Sequence, residues 1–276
     1  MMSAHIVLID ALNLIRRIYA VQARPFLMNN QLAENTQQQV LNNTLHACQQ
    51  ALSKIISTHS PTHALAVFDS QRPCWRYDLY PDYKKGRQKM PEHLENKLPD
   101  IQDSFMVLGI DSLIPEQDEA DDIIATLAVK VALRNQKVTI ISTDKAFLSM
   151  LCPYVEVYDY FNRRYLDENY VQEKFQVKPS QLLDLWTLTG DNTNKIPGVA
   201  GIGQITAAEL LNNYGSLSAI LTAQDIKSSI NKKLENCHEN IELSRKLLTL
   251  KTDIPLGFNL KDIRLSPDIH HIEPTI

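Results

Sequence analysis

Short apolar runs alternate with helical patterns through the first 165 residues of this 276-residue chain. A bounded run of four to eight apolar residues has the length of a buried strand, whereas apolar residues spaced three and four apart mark one face of a helix. The predicted strands are residues 5–9, 64–68, 137–142 and 155–160, with a weaker strand at 111–114. Helices are predicted between them, the longest over residues 35–58. Such alternation favours a mostly parallel sheet with helices on both faces, so we predict a doubly wound α/β domain over residues 1–165.

Acidic residues stand at the ends of these predicted elements. Asp10, Asp69 and Asp144 follow three of the strands, and residues 119–122 (Glu-Ala-Asp-Asp) open a helix. A helix dipole favours acids in its first turn, which accounts for one or two of three clustered carboxylates. The alternative is a site for a hard divalent cation such as Mg²⁺, which prefers oxygen ligands. Residues 119–122 by themselves do not decide between the two.

The expected fold brings these acids together. Strand carboxyl ends in a doubly wound sheet face one crevice, so acids far apart in sequence converge there, and a metal site explains their convergence better than separate helix caps do. A helical projection of residues 119–122 puts Asp122 nearly opposite the buried face. It therefore favours Glu119 and Asp121 over Asp122 as metal ligands.

Residues 72–89 form a basic segment in a chain whose formal net charge is −4. The segment has six basic residues against two acidic ones, with Trp75, Tyr77, Tyr80 and Tyr83 interleaved. A solvated surface is the ordinary explanation of a charge run. Its position directly after Asp69 favours phosphate contact together with base stacking.

The strand pattern ends near residue 165, and we predict a helical domain over residues 166–276. A polar loop that contains Asp191 leads into a glycine-rich hairpin at 198–203, and a helix is predicted over 204–214. Backbone N–H groups at such a helix start bind phosphate without reading base sequence, although close helix packing is an alternative reason for the glycines. The last 25 residues are predicted to form a loosely packed tail.

Composition limits the class of protein further. The net negative charge argues mildly against a nucleic-acid binder, but bound cations would offset clustered acids. Four cysteines lie far apart in the chain without a C-x-x-C spacing, so neither a zinc site nor a disulfide framework is expected. With no secretory leader or membrane-length apolar run in the pattern, we expect a reduced cytoplasmic compartment.

Four motifs in this order resemble the 5′-nuclease or flap endonuclease family, which includes the N-terminal domain of bacterial DNA polymerase I. They are residues 83–87 (YKKGR), 119–122 (EADD), 142–145 (STDK) and 190–203 (GDNTNKIPGVAGIG). The resemblance covers roughly residues 5–250. It implies a PIN-like nuclease core followed by a helix-hairpin-helix module. It also implies a Mg²⁺-dependent enzyme that cuts 5′ flaps or single-strand/double-strand junctions of DNA in replication and repair, acting as a monomer in the bacterial cytoplasm.

The resemblance also implies roles for individual residues. The implied catalytic residues are Lys84, Arg87, Asp10 and Asp69. The implied magnesium ligands are Asp121, Glu119, Asp122, Asp144 and Asp191, with one ion held firmly and a second held weakly or through the substrate. The implied potassium ligands are the backbone carbonyls of Leu188, Thr189, Pro197, Val199 and Ile202. The implied DNA contacts are Gly201, Ile202, Gly203, Gln204, Ile205, Thr206, Arg17 and Tyr19, to which the basic segment adds Tyr83.

Three positions depart from the family pattern. Ala146 and Asn194 stand where second-metal acids are usual, and Ile205 replaces a common lysine. These departures motivate an alternative: a DNA-junction binding protein with weak or no nuclease activity. A ribonuclease of the related metal-dependent fold is a further alternative, against which the hairpin favours duplex DNA.

Overall fold

The structure, a computed structural model, describes residues 4–28, 31–70 and 72–266. Its first part alternates strands and helices much as the apolar runs predict. The strands are β1 (His5–Asp10), β2 (Leu27–Met28), β3 (Gln31–Leu32), β4 (His63–Val67), β5 (Asp111–Leu113), β6 (Lys137–Ile141), β7 (Val155–Asp159) and β8 (Arg164–Tyr165). The helices are α1 (Ala11–Ala23), α2 (Glu34–His59), α3 (Trp75–Leu79), α4 (Glu92–Glu95), α5 (Leu98–Val107) and α6 (Ala120–Ala132).

Six strands form one sheet in the order β5-β4-β1-β6-β7-β8. All neighbours in it are parallel except β7 and β8, which pair antiparallel. β1 is central, and its residues Ile9 and Asp10 lie beside Ala66 and Val67 of β4. Since β1, β4 and β6 run in the same direction, the acids that follow them arrive at one edge of the sheet.

Alternate residues of the central strands point to opposite faces, and each face has its own core. Ile6 and Leu8 of β1 face a cluster that includes α6, whereas Val7 and Ile9 face one that includes α1, α2 and α5. Helices therefore cover both faces of a sheet that is buried on each side, as continuous apolar strands require.

The second part of the chain is helical. Its helices are α7 (Glu168–Phe175), α8 (Leu182–Thr189), α9 (Gln204–Tyr214), α10 (Leu217–Thr222), α11 (Ser228–Asn236) and α12 (His238–Leu248). Side chains of α8, α9 and α12 join the same core cluster as α6, so this part is packed directly against one face of the sheet. In the part of the chain that the structure describes, no helix combines the length and apolarity needed to cross a membrane.

The prediction of a loosely packed tail is wrong up to residue 266. Ile254, Ile263 and Leu265 are buried, and Leu265 N–H donates to the carbonyl of Thr62 at 3.1 Å, just before β4. The apolar residues are too sparse here to give a helix or strand pattern, but each is buried in one of the two cores. Residues 267–276 lie outside the described residues. The boundary at residue 165 stays a prediction.

Candidate active site

Asp10 and Asp69 sit at neighbouring strand ends, and the local backbone holds both carboxylates. Asp10 ends β1 and caps α1, with Oδ1 accepting the N–H of Asn13 at 3.3 Å and Oδ2 accepting the Ser142 hydroxyl at 2.7 Å. Asp69 follows β4, and its Oδ1 accepts the N–H of Ala120 at 3.0 Å. Asp69 therefore ties the end of β4 to the first turn of α6, beside Asp121.

The charges of neighbouring aspartates act on the protonation of Asp10 and Asp121 at this edge. Burial, together with the charges of Asp69 and Asp144, raises the pKa of Asp10 to about 7 against the pull of the Ser142 hydrogen bond. Burial and the charges of Asp144, Asp10 and Asp69 raise the pKa of Asp121 well above its usual range. Acids from four separate segments are thus close enough to repel one another, as the sequence predicted for the metal site.

A cleft of about 740 Å³ opens in front of these acids. Its acidic side includes Asp10, Asp69, Asp121 and Asp144. Basic side chains also line it: Arg16, Arg17, Arg72, Lys84, Arg87 and Lys89. We call it the basic cleft, since cations and carboxylates together line a space that suits a phosphate backbone.

Glu119 stands just before α6 and is held by groups from the basic segment. Its Oε2 accepts from Arg76 Nη1 at 2.8 Å and from the Tyr83 hydroxyl at 3.0 Å, while Oε1 is paired with Lys84 Nζ. Lys84 thereby lies at the acidic side of the cleft. Its backbone is in the left-handed region (φ 55°), and its N–H donates to the carbonyl of Asn194 at 2.9 Å. A loop of the helical part therefore fixes the predicted catalytic lysine.

Asp122 lies elsewhere than the helical projection predicted. It is 0% exposed rather than on the open face, because α6 is enclosed by the sheet on one side and by the segment after α12 on the other. Its Oδ1 accepts from Arg76 Nη2 (2.8 Å) and Lys251 N–H (2.9 Å), and its Oδ2 from Arg76 Nη1 (2.7 Å) and Trp75 Nε1 (3.1 Å). Burial alone would raise the pKa of Asp122, but the hydrogen bonds and charge of Arg76 lower it. These contacts leave Asp122 poorly placed as a magnesium ligand.

The predicted DNA contacts of the first part divide into two groups. Arg17 is exposed in the basic cleft, where it donates to Thr143 Oγ1 at 2.6 Å and stacks on the Phe161 ring at 4.5 Å. Tyr83 is only 4% exposed and donates its hydroxyl to Glu119, so the structure does not place it for base stacking. Alternation of aromatic and basic residues could not reveal that this ring turns inward.

Tyr19 sits on the same helix as Arg17 and bridges two elements. Its hydroxyl lies 2.6 Å from His93 Nε2, which joins α1 to α4. The predicted contact with the 5′ end of DNA is neither supported nor contradicted by this position.

The glycine hairpin joins α8 to α9 through a very close backbone crossing. A Cβ at Gly198 would lie 2.3 Å from the carbonyl carbon of Thr189, so only glycine fits. Gly201 has φ 77°, and its carbonyl accepts Lys233 Nζ at 2.9 Å. Gly203 begins α9 without a side-chain cap, while Ile205 is 70% exposed. Most of the predicted DNA-facing residues 201–206 therefore lie at an open helix start, but the predicted contact Ile202 is buried (4% exposed) and donates its N–H to Val199 O.

Three of the five predicted potassium ligands already accept hydrogen bonds within the protein. Leu188 O accepts from Val199 N–H at 2.7 Å, Val199 O from Ile202 N–H at 3.0 Å, and Pro197 O from the Ser244 hydroxyl. A carbonyl oxygen has two lone pairs, so these bonds leave room for a cation. The carbonyl of Thr189 ends α8, and that of Ile202 lies just before the start of α9.

The Asp191 carboxylate binds groups of its own polar loop and does not point into the cleft. Its Oδ1 accepts the N–H of Thr193 at 3.0 Å and lies 3.4 Å from Lys145 Nζ, and its Oδ2 accepts Asn194 Nδ2 at 3.1 Å. Asn194 thus binds the acid that a second metal would use. Across the described ranges, no group of three or more acidic, histidine or cysteine side chains is arranged to hold a metal by itself.

Comparison with known proteins identifies the class. A family model described as the 5′-3′ exonuclease N-terminal resolvase-like domain matches residues 5–176, and one described as the 5′-3′ exonuclease C-terminal SAM fold matches residues 177–270. These two domains account for most of the chain and define a 5′-3′ exonuclease, which is a nuclease and a hydrolase. The predicted α/β fold followed by a helical module is confirmed.

Two relatives place the chain within that class. A flap endonuclease Xni from Colwellia psychrerythraea is 66% identical, over 100% of this chain and 97% of the relative. Another from Photobacterium profundum is 48% identical, over 95% and 98%. The chain therefore belongs to the family of Xni flap endonucleases, and the predicted resemblance is confirmed.

Solved structures share the fold at low sequence identity. The structure titled "Divalent metal ions (zinc) bound to T5 5'-exonuclease" matches with a TM-score of 0.74 and 20% identity, covering 90% of each chain. A catalytic core of Rad2 in complex with DNA substrate matches with a TM-score of 0.55 and 14% identity, covering 94% of this chain and 83% of the other. The fold is thus shared by proteins of very different sequence.

Proposed function

We propose that this structure-specific 5′ nuclease hydrolyses phosphodiester bonds of DNA at 5′ flaps and single-strand/double-strand junctions, with Mg²⁺ as its metal. One observation carries the proposal: four aspartates from four separate chain segments meet in one cleft that basic side chains also line. Family membership and a DNA-bound structural neighbour support the nuclease assignment and the DNA partner. Monomeric action in the bacterial cytoplasm belongs to the same proposal.

The donor set fits a hard divalent cation. Carboxylate charges that raise the pKa of Asp10 and Asp121 are relieved by a cation placed among them, and oxygen donors suit Mg²⁺. Asp121 would hold the ion most firmly, with Asp10, Asp69 and Glu119 around it directly or through waters. Water would complete the shell, because Mg²⁺ usually keeps several of its waters. A bound Mg²⁺ supplies an activated water and neutralises charge on the phosphodiester.

Lys84 and Arg87 would act on the scissile phosphate from beside the carboxylates. Lys84 Nζ stands at Glu119 and near Asp121, and these negative charges raise its pKa against the effect of burial, so it carries a full positive charge. Arg87 lines the same cleft. Fixed cations aimed at the scissile phosphate stabilise the negative charge that grows on its oxygens in the transition state.

A second ion would be held weakly or through the substrate. Ala146 offers no side-chain oxygen, while Asp191 is occupied by Asn194 and by the backbone of its own loop. Asp144 remains in the cleft with Oδ1 accepting the Ala146 N–H at 2.8 Å. We infer that the DNA phosphate itself supplies the missing ligands.

The hairpin would hold the duplex on the far side of the cut. The open N–H groups at the start of α9 and the ammonium of Lys233 present positive potential to a phosphate. A K⁺ ion on the predicted potassium-binding carbonyls would add to it. Omission of K⁺ from a sodium buffer is expected to weaken duplex binding, and equal affinity in both salts would exclude this ion.

The decisive assay measures cleavage of a labelled 5′-flap duplex with Mg²⁺ by Asp121→Ala. Asp103→Ala is the matched control, because Asp103 is an exposed acid on α5, outside the cleft. We expect Asp121→Ala to lose turnover while Asp103→Ala cleaves at the parental rate. Cleavage by Asp121→Ala at the parental rate would contradict the proposed metal-dependent nuclease centre.

The same substrates separate the two alternatives. A DNA-junction binder, favoured by Ala146 and Asn194, predicts tight flap binding with no product even at a large enzyme excess. A ribonuclease predicts faster cleavage of an RNA flap than of the DNA flap. We expect cleavage of the DNA flap to be the faster reaction.

A further inference from the structure

Arg76 lies beneath the acidic side of the cleft with only 2% of its surface exposed, which is unusual for a guanidinium. Burying such a charge is costly unless its donors and its charge are both matched. Arg76 belongs to the basic segment, where the charge pattern suggests a solvent-facing phosphate contact. Its position inside the protein therefore needs another explanation.

The donors of Arg76 are matched by two carboxylates and two carbonyls. Nη1 lies 2.8 Å from Glu119 Oε2 and 2.7 Å from Asp122 Oδ2, and Nη2 lies 2.8 Å from Asp122 Oδ1. Nε donates to Leu247 O at 2.8 Å, and Nη2 also donates to Thr249 O at 3.1 Å. The pair with Asp122 is a planar fork-to-fork contact, which fixes orientation as well as distance.

The two carbonyls come from a segment more than 170 residues away in sequence. We call residues 247–251 the C-terminal strap. The Lys251 N–H of the strap donates to Asp122 Oδ1 at 2.9 Å, and Lys251 Nζ pairs with Asp118 at 2.7 Å. The strap thus reaches both the arginine and the acid that faces it, so one network joins the end of the helical part to the first turn of α6.

Within this network Asp118 and Glu119 line the basic cleft, and Glu119 is the one of the two that binds Arg76. Oε2 of Glu119 is shared by Arg76 and Tyr83, so Oε1 points to Lys84. The direction of the guanidinium fork therefore sets the rotation of Glu119, and Glu119 in turn sets where the ammonium of Lys84 stands. Asp122 keeps the fork in its plane.

The geometry points to Arg76 as a positioning residue for the nuclease centre, with Asp122 as its anchor and the C-terminal strap as its support. Arg76 acts through Glu119 and Lys84 and does not touch the DNA. Asp122 serves this network instead of binding metal. This inference rests on the proposed centre around Asp121.

Arg76→Lys is the first variant, because lysine keeps the charge but cannot reproduce the fork. We expect kcat for flap cleavage to fall about 100-fold, as a small misplacement of catalytic groups does, with KM within a factor of about three. Flap binding in EDTA should stay near the parental value, whereas the urea midpoint of unfolding should fall, because lysine cannot satisfy all the buried acceptors of Arg76. Trp75, stacked 4.4 Å from the guanidinium carbon, should change its fluorescence emission in the metal-free protein.

The double variant Arg76→Met with Asp122→Leu separates positioning from stability. Replacing a buried ion pair by apolar groups is often neutral for stability, whereas Arg76→Met alone leaves carboxylates unpaired. We expect the double variant to regain the urea midpoint that Arg76→Met loses, without regaining kcat. Arg245→Met is the matched control, since it removes the ion pair with Asp184 away from the cleft and should leave kcat unchanged.

Two outcomes would overturn the inference: parental kcat in Arg76→Lys, or recovery of both midpoint and kcat in the double variant. Asp121→Ala in the same series tells a different failure apart. If Asp121→Ala cleaves normally, the proposed centre itself is wrong. If Asp121→Ala is inactive while Arg76→Lys retains parental kcat, only the role of Arg76 is wrong.

Discussion

The backbone crossing at Gly198 allows a prediction whose size follows from the structure. A Cβ added there meets only main-chain atoms: Thr189 C at 2.3 Å, Gly190 N at 2.4 Å and Thr189 O at 2.5 Å. Because no side-chain rotation can relieve these contacts, Gly198→Ala must push the hairpin away from the end of α8. Overpacking of side chains in cores costs about 1–3 kcal/mol, and a clash between two main chains belongs at the upper end or beyond, about 3 kcal/mol.

Gly203→Ala is the control within the same hairpin. Nothing lies within 4 Å of a Cβ at Gly203, so only the weaker capping by alanine remains, about 0.5–1 kcal/mol. Urea unfolding measures the free energy of each variant, and flap binding in EDTA tests whether the displaced hairpin still holds DNA. We expect Gly198→Ala to lose both stability and affinity. If the free energies of unfolding of Gly198→Ala and Gly203→Ala agree within about 0.5 kcal/mol, the close backbone crossing is refuted.

Three further predictions concern charge. Asp10→Asn should stabilise the metal-free protein at pH 8 by on the order of 2 kcal/mol while reducing turnover. Because folding raises the pKa of Asp10 to about 7, this stabilisation should vanish as the pH falls toward 4. A loss of stability at pH 8 in urea unfolding would contradict the repulsion between Asp10 and the neighbouring aspartates. Burial, with the nearby charges of His5 and Lys137, lowers the pKa of His59 to about 4, so the parent should lose stability as the pH falls from 6.5 to 4. In thermal unfolding, His59→Phe should make stability less dependent on pH over this range. Ile205→Lys should tighten flap binding in EDTA and steepen its salt dependence by about 0.9 in the log–log slope, as one added phosphate contact does; an unchanged slope would place residue 205 away from DNA.

Local patterns predicted the elements that position the site. The strands ending at Asp10 and near Asp69 follow from apolar runs, and α9 spans residues 204–214 as predicted, because Gly203 and Gly215 mark its ends. Convergence of the acids followed from the direction of parallel strands alone. These inferences need only neighbouring residues and one rule of topology.

The inferences that failed depend on contacts between distant residues. The burial of Asp122 comes from the strap after α12, which no helical projection of α6 can include. Tyr83 turns inward because Glu119 accepts its hydroxyl, and Arg76 does so because two acids and two remote carbonyls surround it. The sequence did carry one signal, since the three clustered acids at 119–122 need a counter-charge. Arg76 supplies part of the positive charge that the metal hypothesis assigned to Mg²⁺ alone.

The strap that binds Arg76 also sets the order of events during synthesis. Its carbonyls belong to Leu247 and Thr249, which follow Arg76 by more than 170 residues, so a ribosome must make this whole stretch before the guanidinium can be enclosed. At about 5–20 residues per second, the α/β part is exposed for several seconds before the strap emerges. During that interval Glu119 lacks its fixed partner geometry, so the nascent chain carries the acids of a nuclease without their final arrangement. Synthesis of α12 and the strap is thus the step that allows Glu119 and Lys84 to reach their final positions.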